Sequence, residues 1–318
     1  MALDAATREQ LLETVPRFVR EKCVPMEAMV AEDDCIPDGM LAEMRALGLF
    51  GLSIPLEYDW LRLTMEEEAL VVTELCHTSP AFRSAIGTKR FITNADRAGM
   101  LTLLARTDPR KKGASGISAF IVPADIKGIS IGKPEKKMGQ QGAHICDVIF
   151  ENARVLAHLR LGEEGEGFKL AMQVLDRGRL HISSVCVGVA ERLIGEAVAY
   201  AQEREQFGRK IAEFQLIQAM LADSKTEAYA ARAMLIDAAR KYDSGQSVTM
   251  AAACAKYFAS EMVGRVADRT VQIFGGAGYV ADYGIERFYR DVRIFRIYEG
   301  TSQVQQLVIA KNLLKGGA

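Results

Sequence analysis

Apolar side chains recur at spacings of three and four through the second half of the chain. Ile182, Val185, Val189 and Leu193 fall on one helical face. Phe214, Ile217, Leu221, Ser224, Ala228, Ala231 and Leu235 make a second seam of the kind that packs helix bundles. The pattern predicts helices over both stretches, a third from about Met250 to Phe274, and a fourth that opens near Ser302. Ser302 and Gln305 have the S-x-x-Q spacing of a capping box, and Val304, Leu307, Val308 and Leu314 share the helical face that follows. Long helices with short connectors, from Gly165 onward, read as an antiparallel four-helix bundle.

The first third is helical by the same criterion. Leu11, Leu12, Val15, Phe18 and Val19 form an apolar stripe, and Leu41, Met44, Leu47 and Leu49 hint at another. Pro16, Pro25 and Pro37 punctuate this segment. Thr64-Met65-Glu66-Glu67 has capping-box spacing before a helix that should run to about Cys76. Residues 100–155 change character. Gly116 to Val122 is a short apolar run bounded by turn residues, Ile129-Ser130-Ile131 follows a Gly128 turn, and Ile145 to Phe150 reads as one further strand. The glycines of Lys137-Met138-Gly139-Gln140-Gln141-Gly142 read as turn geometry rather than a ligand cradle. The expected fold is mainly α with a small β domain: N-terminal helices over 1–86, a β segment over 87–158 and the bundle over 159–318.

Composition narrows the function classes. The chain has 318 residues, 49% hydrophobic and 25% charged, an ordinary globular composition with room for two or three domains. Forty basic and 41 acidic side chains leave a formal net charge of −1, so nucleic acid is not an expected partner. Six cysteines include no C-x-x-C pair and four histidines are scattered, so no metal site is expected. No apolar run reaches membrane-span length and the N-terminus lacks the parts of a signal peptide. No membrane association and a cytoplasmic location are the corresponding expectations.

The candidate chemistry lies near the C-terminus, in Arg296-Ile297-Tyr298-Glu299-Gly300-Thr301-Ser302-Gln303. Glu299 falls just before a predicted helix, where unpaired N–H groups and the helix dipole favour negative charge. On spacing alone the favoured reading is an acid that merely satisfies the dipole, since structural carboxylates far outnumber catalytic ones. The segment Ile297 to Gln305, however, resembles the active-site loop of the acyl-CoA dehydrogenase family. In that family the glutamate of Tyr-Glu-Gly-Thr removes the proton alpha to a thioester.

Further blocks follow the family in order. They are Gly48 to Gly51, Ile54 to Tyr58, Leu175-Asp176-Arg177-Gly178-Arg179, Arg204-Glu205-Gln206-Phe207-Gly208, Gln272 to Tyr279 and Glu286 to Asp291. One family turn is altered, with Asp59-Trp60 and Arg62 where relatives carry glycines. The likeness also jumps at Gly87-Thr88, from the helical domain to a strand well inside the middle β domain. No Thr-Glu-Pro-x-x-Gly-Ser-Asp loop occurs in the chain. It therefore resembles an internally deleted relative that lacks part of the helical and β domains.

The resemblance implies an FAD flavoprotein of fatty acid β-oxidation that converts an acyl-CoA to the trans-2-enoyl-CoA, with Glu299 as base. It places Asp176, Arg179, Tyr298 and Gly300 at the substrate. Thr93 falls beside the flavin ring, Arg204 with Gln206 and Phe207 at the FAD pyrophosphate of a neighbouring subunit, and Gln272 and Gly276 against the adenosine half across a dimer interface. Thr301 and Gln303 match positions at the phosphate and ribityl groups. A homodimer or homotetramer and an electron-transferring flavoprotein acceptor go with these assignments. A reading of a different class is a deleted homologue that keeps the bundle and the oligomer interface and acts only in binding or assembly.

Overall fold

The computed structural model describes residues 5–52, 61–79 and 92–316. The connector at 54–58, the Asp59-Trp60 turn and the Gly87-Thr88 seam lie outside the described residues.

The chain opens with α1 (Ala5–Phe18), whose apolar stripe turns inward so that Val15, Phe18 and Val19 are buried. Pro16 does not end the helical path as its position suggested. It lies in the last turns of α1 and is followed by a π-turn, Val19–Cys23, and a 3-10 turn, Val24–Met26, that starts with Pro25 near its first position. The chain stays coiled through these turns into α2 (Glu27–Asp33). Pro37 does act as a boundary, standing as N-cap of α3 (Asp38–Ala46). Helix α4 (Met65–Leu75) begins at the anticipated capping box: the Thr64 hydroxyl accepts from the Glu67 N–H at 3.2 Å, and the Thr64 N–H donates to Glu67 Oε2 at 2.8 Å. Just before it, Arg62 occupies a left-handed φ of 47°, a conformation glycine takes more readily.

The β region is small. Strand β2 (Met100–Arg106) pairs antiparallel with β3 (Ile117–Pro123), which also pairs with β7 (Arg160–Leu161). β1 (Ile92–Thr93) pairs with β5 (Ile145–Cys146), and β4 (Ile129–Ile131) with β6 (Val148–Phe150). The single strand expected over Ile145 to Phe150 is thus two. Asp147 is the point where the chain changes partners, and its carbonyl accepts from the Gly132 N–H at 2.8 Å.

The bundle contains α5 (Gly167–Glu203), a hairpin of β8 (Glu205–Gln206) and β9 (Arg209–Lys210), α6 (Gln215–Asp243) and α7 (Thr249–Phe274). The short helices α8 (Gly276–Tyr279) and α9 (Ile285–Asp291), then a 3-10 turn at Val292–Arg296, lead to α10 (Ser302–Leu314). The buried stripe of α5 includes Ile182, Val185, Val189 and Leu193, and that of α6 includes Ser224, Ala228, Ala231 and Leu235, as the spacing predicted. The Leu175 to Arg179 block lies inside α5, about two turns past Gly167. One apolar core runs from Val15 and Met44 through α4 to Phe288 and Phe295, so the N-terminal helices and the bundle share an interior.

Helix α10 differs from the rest. Its N-cap is Thr301, whose hydroxyl accepts from the Val304 N–H at 3.2 Å, rather than Ser302 as expected. The Ser302 hydroxyl instead donates to Glu261 Oε1 at 2.7 Å. Leu307 and Leu314 on the predicted apolar face are exposed, while Ser302 and Gln305 are the buried residues.

Candidate active site

The loop from Ile297 to Thr301 joins the Val292–Arg296 turn to α10, and its conformation is set by two consecutive left-handed residues. Glu299 has φ 53° and Gly300 φ 85°. Gly300 adopts this readily, whereas a glutamate gives up roughly 1–2 kcal/mol. Strain of this kind persists where surrounding contacts over-determine it. Those contacts are visible. Gln305, buried in the first turns of α10, reaches back and donates through Nε2 to the Glu299 carbonyl at 3.1 Å and the Gly300 carbonyl at 3.0 Å. Lys256 Nζ on α7 also donates to the Gly300 carbonyl, at 2.7 Å.

The Glu299 carboxylate points at α5. A Cβ built on Gly178 would stand 2.6 Å from its Oε2 and 3.2 Å from its Cδ, so the missing side chain at 178 is the space the carboxylate occupies. On the same helix, Arg179 donates to Asp176 Oδ1 at 2.8 Å, and the Thr249 hydroxyl donates to Asp176 Oδ2 at 2.6 Å. Arg179 is buried, and its Nε has no hydrogen-bond partner among the described residues. Tyr298 stacks on Phe295 with centroids 5.8 Å apart. Glu261 fixes the far side of the loop by accepting from Ser302 and pairing with Arg296 Nε at 3.2 Å.

Behind Gly178, Arg177 and His181 turn away from the loop and hold Glu68 of α4 between them. His181 Nδ1 lies 2.9 Å from Glu68 Oε1, and Arg177 pairs with Oε2. Burial alone would raise the Glu68 carboxyl, but His181 and Arg177 outweigh it and hold the group down to about 2.

Glu299, Tyr298, Gly300 and Thr301 are therefore brought together with Asp176 and Arg179. Three other residues of the site escaped the sequence reading: Gly178, Glu261 and Lys256. Lys256 left a trace, since it falls on the buried stripe of α7 with Ala252, Ala259 and Val263. A lysine at a core position needs a reason.

The remaining predicted residues lie elsewhere. Arg204 caps the end of α5 and starts the β8–β9 hairpin, with an exposed side chain that makes no ion pair or side-chain hydrogen bond among the described residues. Gln206 is exposed, and Phe207 at the hairpin tip is 93% exposed with its ring edge-on to Phe214. Gln272 and Gly276, at the end of α7, are exposed too. Stacking of Tyr200 on Phe274 at 4.0 Å joins the ends of α5 and α7, so these five residues share one end of the bundle. Gly178 and Lys256, near the beginnings of the same helices, mark the other. Gly178 and Arg204 are 26 positions apart, and Lys256 and Gln272 are 16 apart, so the two ends are separated by roughly 25–40 Å. Gln303 is exposed beside the Thr301 cap. Thr93 lies in the β region, its backbone paired with Ile145, and its side chain makes no hydrogen bond among the described residues.

Comparison with known proteins agrees along the chain. Models of the acyl-CoA dehydrogenase N-terminal, middle and C-terminal domains match residues 5–99, 85–153 and 165–314. A subunit of the caffeyl-CoA reductase–Etf complex of Acetobacterium woodii is 48% identical over 189 residues, 59% of this chain and 50% of that protein. The chain spans about half the length of the curated relatives it matches. Butyryl-CoA dehydrogenase from Megasphaera elsdenii superposes with a TM-score of 0.92 at 29% identity, covering 99% of each chain. A chain from a structure of the electron transferring flavoprotein of Acidaminococcus fermentans superposes with a TM-score of 0.92 at 31% identity, covering 97% of this chain and 98% of that one.

Proposed function

The chain belongs to the acyl-CoA dehydrogenase family, a family of oxidoreductases, and on that premise we propose that it dehydrogenates an acyl-CoA thioester between its α and β carbons. The observation that carries this reading is the Glu299 carboxylate, held by a strained residue in the gap left at Gly178. A base that must meet one C–H bond benefits from being fixed before substrate arrives.

Glu299 takes the α proton onto a carboxylate oxygen. Its backbone N–H is the candidate donor to the thioester oxygen, where negative charge grows as the proton leaves. Tyr298 and Gly300 border the acyl chain, and Asp176 and Arg179 stand on the CoA side. FAD, when bound, supplies the acceptor for the β hydride, which leaves a trans-2-enoyl-CoA. The residues present suit that cofactor. Arg204 offers an exposed guanidinium without a side-chain partner among the described residues, apt for a pyrophosphate, and nothing lies within 4 Å of a Cβ built on Gly276. Thr93, Gln206, Phe207, Gln272, Thr301 and Gln303 complete the proposed contacts.

The roughly 25–40 Å between the Arg204 end and the Glu299 end supports a shared arrangement. One subunit would offer Arg204, Gln272 and Gly276 to the cofactor that serves Glu299 of another. A homo-oligomer, dimer or tetramer, follows from this reading. Electrons then pass to an electron-transferring flavoprotein. The name of the Acetobacterium relative favours a second direction for the same chemistry, in which protonated Glu299 would return a proton to the α carbon of an enoyl-CoA while reduced FAD, when bound, would supply the β hydride.

The test is the visible spectrum of the purified protein, followed by anaerobic addition of acyl-CoA. A flavin band that bleaches with substrate, and does not bleach in Glu299→Gln, supports the reading. A protein that binds no flavin even with excess FAD overturns it and leaves the binding or assembly role.

A further inference from the structure

We propose that Lys256 is the positioning residue of the Glu299 loop: its buried ammonium pins the Gly300 carbonyl and thereby holds Glu299 in the left-handed turn that aims its carboxylate at α5. The inference rests on the reading of Glu299 as the working carboxylate, but its geometry stands apart from any turnover.

Lys256 is the only lysine buried among the described residues, and it is fully buried. A buried ammonium is retained only if its loss of water is compensated by strong partners. The partner on view is the Gly300 carbonyl at 2.7 Å. Gln305 fixes the Glu299 carbonyl through its Nε2. With both carbonyls held, the two peptide planes that follow the Glu299 Cα are fixed, and a residue at φ 53° has no room to relax. Without Lys256 the neutral amide of Gln305 is left to hold both.

The charges around the ammonium are consistent with a clamp. Glu299 on the loop, Glu261 on α7 and the Cys186 thiol on α5 favour its protonated form, while Arg179 on α5 opposes it. Burial outweighs these and pulls the group down to about 8. Lys256 is therefore charged at neutral pH and loses its proton within an accessible alkaline range, which gives a handle that leaves the sequence untouched.

The experiment is amide hydrogen exchange read by mass spectrometry on the full chain without added ligand. Peptides covering 297–306 are followed in the natural protein between pH 7 and pH 10 and corrected for the intrinsic rate. Protection of this segment is expected to fall as Lys256 deprotonates, while the middle of α6 keeps its own. Lys256→Met, which retains length and removes the donor, is expected to raise exchange of the loop about tenfold or more at pH 7 and to abolish the alkaline change, as loss of a charged hydrogen bond predicts. Should Lys256→Met fail to fold, Lys256→Gln and the pH series on the natural chain carry the test. Loop protection unchanged at pH 7 in a folded Lys256 variant overturns the proposal. In protein that turns over acyl-CoA, the variant should lower kcat with KM little changed. Absence of turnover in the natural chain counts against the dehydrogenase reading and leaves the exchange result to decide on Lys256.

Discussion

Replacing Gly178 by alanine separates the needs of the fold from those of the site. In the interior of a long helix, glycine is less favourable than alanine by roughly 0.5–1 kcal/mol, so the change should stabilise the chain unless the new methyl meets something rigid. What it meets is the Glu299 carboxylate, with Oε2 at 2.6 Å and Cδ at 3.2 Å. No other atom of the loop comes as near. The carboxylate ends a flexible side chain, and to regain ordinary contact it need retreat only about 0.8 Å. The fold loses almost nothing by this, but the base loses its place. A misplacement of about 1 Å can cost on the order of a hundredfold in rate, or about 2.7 kcal/mol of activation free energy. Gly178→Ala is thus expected to melt at the natural temperature or a few degrees above it, while the anaerobic rate of flavin bleaching by acyl-CoA falls about a hundredfold. Equal rates would show that the carboxylate does its work from another position. A clear loss of melting temperature would make Gly178 a packing residue and remove the argument for its role.

Gly188 supplies the contrast: a Cβ there would stand 2.2 Å from the Thr73 carbonyl oxygen, which is backbone, so Gly188→Ala should force α4 from α5 and cost about 1–3 kcal/mol in denaturant melts. For Glu68 the sign follows from a carboxyl held down to about 2 against an ordinary 4.5. Its stabilising share is full above the ordinary value and is lost as pH falls from about 4.5 toward 2; Glu68→Gln should cost up to about 3 kcal/mol at pH 7, with the gap to the natural protein closing in acid. Phe207→Ser should leave the monomer's fold and melting curve nearly unchanged, because the ring is 93% exposed, and should reduce flavin retention or oligomer mass by light scattering. Retention of both would remove Phe207 from the proposed shared site.

Periodicity and capping carried much of this structure into view. The α5 seam and the Ser224 to Leu235 part of the α6 seam are buried where three-and-four spacing put them, and the Thr64 box starts α4. These signals are local, since a helix face or a cap is encoded within a few residues. The errors were decided at longer range. Ile145 to Phe150 divides because its two ends pair with different strands, which no window over that segment can register. Ser302 is drawn away from capping by Glu261, and Thr301 takes its place. Pro16 does not break the helical path, because it lies within α1 and the chain continues coiled beyond it. In the proposed site, motif likeness pointed to Glu299 with its own block and to Asp176 and Arg179 on α5. Lys256 and Gly178 come from two other helices and are joined to Glu299 only by packing.

The arrangement of those helices bears on why the site is built this way. Helices α5 and α7 run parallel, since Gly178 and Lys256 face the Glu299 loop near one end while Tyr200 and Phe274 stack at the other. Each helix therefore contributes twice: its beginning shapes the carboxylate and its end presents Arg204 or Gln272 outward. A ligand held at Arg204 and Gln272 would have to span roughly 25–40 Å to meet the Glu299 carboxylate of the same copy. Either the far residues serve a neighbouring copy, or they serve nothing related to Glu299. The uncovered apolar side chains Phe207, Leu307 and Leu314 favour the first. On that account, dilution that separates the copies should release the cofactor and the interface together, in one concentration-dependent step.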